Sequence, residues 1–168
     1  SLGYKYKNQW KATLSEFPTY VLYHWSDQAI FRIAQEHFPP TVEKALLKIN
    51  RRSFGPAFSD IGRWMILYVH GGEYYDVKSS KEQSSDMSHQ FWEPLGSLVL
   101  STWDIPNQEK HTNAVDSDNR RGEIQNWHIT AKPKHEVVYA IVLLLCEQVE
   151  KQYAEYVATG DDTHLLKG

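Results

Sequence analysis

The segment Lys134–Tyr153 constrains the fold more than any other. Val137, Val138, Ile141, Leu144, Leu145 and Val149 recur there at helical spacing and make a wide apolar face. Such a helix is stable only against a core, so the chain must build one. At 168 residues it is read as a single domain over 1–168, with 1–17 as an N-terminal arm or short first strand and 18–168 as the core. Six Trp and ten Tyr in a 41% apolar chain are too many for a disordered tail. No apolar run reaches the roughly 20 residues that cross a bilayer, so no membrane partner is expected. No basic segment feeds an apolar stretch, and no signal or transit peptide is expected.

Period and punctuation predict the other elements. Thr19–Trp25 (TYVLYHW), rich in β-branched and aromatic residues, reads as a strand. Ser26–Glu36 is ambiguous, because Ile30, Ile33 and Ala34 suit a helical turn but the segment is short. Pro39-Pro40 stops any regular element. Thr41 then caps a helix through about Asn50, with Val42, Ala45, Leu46 and Ile49 on one face. Arg51–Asp60, with Gly55 and Pro56, predicts a loop. Gly62–His70 (GRWMILYVH) predicts a strand, Gly71-Gly72 a hairpin turn and Glu73–Lys78 the returning strand. Ser79–Ser85 is a polar loop. Ser85 or Asp86 caps a helix through about Thr102, striped by Met87, Phe91, Leu95, Leu98 and Val99 and distorted by Pro94 and Gly96. Ile105–Arg121 is polar and predicts a ligand-facing loop. Glu123–Thr130 reads as a strand, Tyr156–Thr159 as a short strand at most, and the tail from Gly160 is polar. The expected class is α+β: one curved, mostly antiparallel sheet with about three helices packed on its convex face.

Three groups of residues carry possible chemistry. Asp60 ahead of one hairpin strand, with Asp76-Val77-Lys78 on the other, matches the PD-(D/E)xK pattern of metal nucleases. Two carboxylates would hold Mg²⁺ and the lysine would steady the phosphate. The eight His make no His-x-x-x-His spacing, and one cysteine cannot form a cysteine cluster, so no resident metal or cofactor is expected. Cys146, within an apolar run, reads as a buried inert thiol and points to a reducing, cytoplasmic compartment. The third group is aromatic. Trp25 at a strand end and Phe58 in a loop can sandwich a planar cation, with Asp60 accepting its N–H groups and Arg120 and Arg121 gripping phosphates. The net charge of −3 argues against bulk duplex DNA but leaves room for a small charged ligand.

Several segments, in order, resemble the messenger-RNA cap-binding translation initiation factor 4E family. Gly62-Arg63-Trp64-Met65-Ile66 is similar to its Gly-Gly-Arg-Trp-hydrophobic strand. Ser85-Asp86-Met87-Ser88-His89-Gln90-Phe91-Trp92 resembles the start of its next helix. Gly122-Glu123-Ile124-Gln125-Asn126-Trp127-His128-Ile129-Thr130 resembles its Gly-Asp-Lys-Ile-x-Ile-Trp-Thr strand, and Phe38-Pro39-Pro40-Thr41-Val42-Glu43 its Phe-Asp-Thr-Val-Glu-Asp helix entry.

The resemblance implies a non-enzymatic module that binds 7-methylguanosine-capped RNA ends or a related nucleotide in translation initiation or its regulation. Trp25, or Phe31 in its stead, and Phe58 would stack on the methylated base. Asp60 or Ser59 would bind the guanine N1 and N2 hydrogens. Trp127 would touch the N7-methyl group, and Arg120 or Arg121 would hold the phosphates. Glu123 falls near the family's phosphate-binding Lys, a departure that sets a carboxylate beside the phosphates. A scaffold or regulatory protein would dock on the helical face at Val42 and Leu46. The alternatives are an α+β protein-interaction domain without cap binding and the metal nuclease.

Overall fold

The computed structural model describes residues 21–49, 51–76, 98–102 and 124–160, together with Lys11 and Ser15. Apart from Lys11 and Ser15, the expectations for the arm, the 79–97 segment, the Ile105–Arg121 loop and the tail from 161 lie outside the described residues. Within them the chain is α+β, with four helices and a small three-stranded antiparallel open sheet. The helices are α1 (Asp27–His37), α2 (Pro40–Lys48), α3 (Arg51–His70) and α4 (Glu136–Thr159). The strands are β1 (Gly72–Tyr75), β2 (Leu98–Thr102) and β3 (Ile124–Ala131), in the order β1-β3-β2.

The chain divides into two compact units. One spans Leu22–Gly72 and Ala131–Gly168 and holds the four helices; the other spans Ser1–Val21 and Glu73–Thr130 and holds most of the sheet.

In the helical unit, α4 packs against α3 and α2, and α1 against α3 and α2. The apolar face read for 41–50 is the face buried in α2: Val42 and Ala45 are 0% exposed and Leu46 1%. This helix starts one residue before Thr41 and has no side-chain cap. Pro40 begins it, since a first-turn residue needs no N–H partner. The ambiguous segment is α1, opened by Ser26, whose Oγ accepts from the Ala29 N–H at 3.2 Å. Residues Val21–Ser26 are neither strand nor helix, which corrects the strand expected there.

The largest correction is α3. Arg51–Asp60 is not a loop and Gly62–His70 is not a strand; both belong to one helix. Five consecutive residues, Ile61 to Met65, are buried within it, so neighbours on several sides hide the helical period. Pro56 sits near the helix start, where its missing N–H forfeits one early bond. Gly71 does not turn a hairpin. It adopts φ 67° and donates its N–H to the Leu67 carbonyl at 2.9 Å, the left-handed cap of a helix end.

Two more elements differ from expectation. Leu98–Thr102 is strand β2 and not the end of a helix; Leu98, Val99 and Leu100 are half-buried beside β3. Tyr156–Thr159 continues α4, which ends at Gly160 (φ 68°), whose N–H reaches the Tyr156 carbonyl at 2.8 Å. The strand expected at Glu123–Thr130 is present as β3. The return strand expected at Glu73–Lys78 begins at Gly72 and is described to Tyr75.

Candidate functional site

The residues expected to bind a ligand lie in different settings. Trp25 lies in the irregular segment Val21–Ser26, half-buried, with its ring 4.7 Å from that of His70 and 6.2 Å from that of Tyr23. Phe58 is a core residue of α3, 3% exposed, and its ring packs on Phe31 at 5.6 Å. A ring so enclosed offers no face to a ligand, so the pairing of Trp25 with Phe58 in a base sandwich is corrected. The same contact takes up Phe31, its expected substitute. Ser59 is exposed, and its carbonyl lies 3.4 Å from Arg63 Nε.

Asp60 is also occupied. Its Oδ1 lies 2.7 Å from Nη2 of Arg63, which is 7% exposed. One helical turn brings the two together, and a buried guanidinium needs that carboxylate. Asp60 therefore does not precede a strand as the nuclease pattern requires. Asp76 follows β1, and Lys78 lies outside the described residues. No group of three His, Cys, Asp or Glu that could hold a metal occurs among the described residues.

Trp127 lies in β3, but its side chain is outside the described residues, as are Arg120 and Arg121. Beside it, His128 stacks on Tyr75 across β3 and β1, ring centroids 4.6 Å apart at 15°.

Val42 and Leu46, expected to receive a protein, face the core and correct that expectation. The large apolar residue that α2 presents to solvent is the next one, Leu47, 66% exposed. It lines an open groove of about 530 Å³ with Thr41, Lys44, Lys48, Glu150 and Tyr153. Lys48 Nζ is salt-bridged to Glu150 Oε2 and lies 5.0 Å from the Tyr153 ring centroid, so α2 and α4 are tied across the groove floor. Sequence reasoning missed these residues. The signal was an apolar Leu47 one position beyond the buried stripe, where an amphipathic helix would carry a polar side chain.

α4 shows the same excess. Beside its buried line of Val138, Val142, Cys146 and Val149 runs a second line, Val137, Ala140 and Leu144, which is solvent-exposed. Cys146 is buried as expected, and burial, with the Glu150 carboxylate nearby, pushes its thiol up to about 12.

No family model, curated protein or solved structure matches the chain. The cap-binding resemblance therefore stands on its motifs. The Gly62–Ile66 motif, a strand in that family, lies here within α3. No described helix is long and apolar enough to cross a membrane.

Proposed function

We propose that the chain is a non-enzymatic binding module whose partner is another protein, engaged by the helical unit. The exposed apolar line of α4 carries this reading: Val137 is 50% and Leu144 63% exposed, at i and i+7 of one helix, with Ala140 between them. An apolar stripe left in water at helical spacing is a contact surface. The groups a guanine would need support it from the other side, since Phe58 is enclosed and Asp60 is ion-paired. No cofactor enters this reading, and a cytoplasmic location goes with it.

One observation favours a second reading, the capped RNA end. Trp25 keeps a half-buried ring beside Tyr23, which is 69% exposed. These two would replace the Trp25–Phe58 sandwich, with Trp127 against the N7-methyl group and Arg120 or Arg121 on the phosphates. That reading also requires a curved sheet with about three helices on its convex face.

Panning a display library of helical peptides on the full chain tests the first reading, with fluorescence titrations of 7-methyl-GTP and GTP beside it. Enriched peptides that bind saturably, without methyl-specific quenching, are expected. Failure to enrich any peptide overturns the protein reading. Saturable quenching by the methylated nucleotide alone, lost in Trp25→Ala, would establish the capped RNA instead. Phe58→Ala is a poor control, because truncating a buried Phe costs about 3–5 kcal/mol and tests folding.

A further inference from the structure

We infer that the groove between α2 and α4 is the docking site for an amphipathic helix with an acidic flank. The inference rests on the protein-partner reading above and adds the place and the chemistry of the partner.

Three features select this occupant. First, Lys44 and Leu47 are three residues apart on α2, which sets a cation and an apolar side chain as neighbours on one surface. Leu47 is 66% exposed and Lys44 is exposed. A partner helix meets such a pair with a carboxylate and an apolar residue three or four positions apart. Second, the charges differ in what they have left to give. Lys48 is held by Glu150 and lies over Tyr153, while Lys44 has no ion-pair partner among the described residues. Among the described residues the groove's lining therefore carries one more positive than negative charge beside Leu47, and an acidic partner supplies the complement. Third, the groove, about 530 Å³, lies between two packed helices, a setting in which a partner helix can lay its apolar face. Tyr153 and the Lys48 stem give the floor aromatic and aliphatic surface for the partner's apolar side chain.

The test uses the helical peptides enriched on the full chain. Their affinity is measured by fluorescence anisotropy on the parent chain, Leu47→Glu and Lys44→Glu. Both positions are exposed, and circular dichroism checks that both variants fold. The expected peptides carry Asp or Glu three or four residues from Leu, Ile or Phe. Their binding weakens at least tenfold in each variant. Replacing the peptide's acidic residue by Lys restores binding to Lys44→Glu. Peptides that bind both variants as tightly as the parent would overturn the groove as the site and leave the protein reading standing. Binding without an acidic residue, or with no charge-swap recovery, would overturn the partner chemistry. Self-association of the parent lost in Leu47→Glu would put a second copy of this chain in the groove and overturn the proposal.

Discussion

The backbone of Gly62 in α3 lies so close to Ile30 in α1 that a Cβ on Gly62 would stand 2.7 Å from Ile30 Cδ1. The missing side chain lets the two helices approach. Ile30 and Gly62 are both buried at this crossing.

Gly62→Ala gains up to about 1 kcal/mol in helix propensity but must displace the Ile30 methyl group. Ile30→Val alone costs about 0.5–1.5 kcal/mol. Together they fit, so the double variant is expected to exceed the sum of the single effects by about 1 kcal/mol in urea unfolding. Additivity within about 0.5 kcal/mol would mean that the helices simply move apart.

Asp60→Ala leaves the buried Arg63 guanidinium without the carboxylate 2.7 Å away. The expected loss is about 1–3 kcal/mol, the lower part of the range because Asp60 is partly exposed. Unchanged thermal unfolding would free Asp60 for a ligand-binding role.

Two adjacent leucines of α2 should behave in opposite ways. Leu46, 1% exposed, is expected to cost about 2–5 kcal/mol as Leu46→Ala. Leu47, 66% exposed, should change stability by less than about 0.5 kcal/mol as Leu47→Ala. Equal losses in denaturant titrations would place Leu47 under a covering segment and contradict the open groove.

Cys146 gives stability an alkaline limit. Its thiol is raised in the folded chain from 9.0 to about 12. Below pH 9 the thiol is neutral folded and unfolded, and this contribution is complete. Between pH 9 and about 12 the unfolded chain ionises first, so stability falls by up to about 1.4 kcal/mol per pH unit. Unfolding free energies of the parent and Cys146→Ala should therefore converge as pH rises from 9 to 11. Tyrosines and lysines titrate in both proteins and cancel in the difference. Parallel curves would show a solvated thiol.

The sequence was legible where one face was buried and one was wet. The α2 stripe and β3 read correctly, but the wide face read for α4 did so only in part: Val138 and Val149 are buried, whereas Val137 and Leu144 are exposed and Val142 and Cys146 are buried instead. It failed at α3 because Ile61 to Met65 are buried in succession and the run is rich in residues that also suit strands. Gly71-Gly72 misled for a related reason, since a left-handed glycine caps a helix as readily as it turns a hairpin. The candidate site was hidden further. Asp60 looks free in the sequence, and only the helix reveals Arg63 one turn away. The groove needs residues about a hundred positions apart, Lys48 and Glu150, and no local pattern joins them.

One turn near the start of α4 has a consequence for the order of assembly. Lys134 adopts φ 60°, an uncommon conformation for a residue other than glycine, and donates its backbone N–H to the Tyr68 carbonyl at 2.6 Å. Its ammonium lies 4.6 Å from the Tyr68 ring centroid. The end of α3 is thus completed by a residue made long after it. At about 5–20 residues per second, a ribosome leaves that carbonyl waiting for several seconds while the sheet segment is synthesised. The first three helices emerge without the wall that α4 provides, and the helical unit closes only when the chain returns to it.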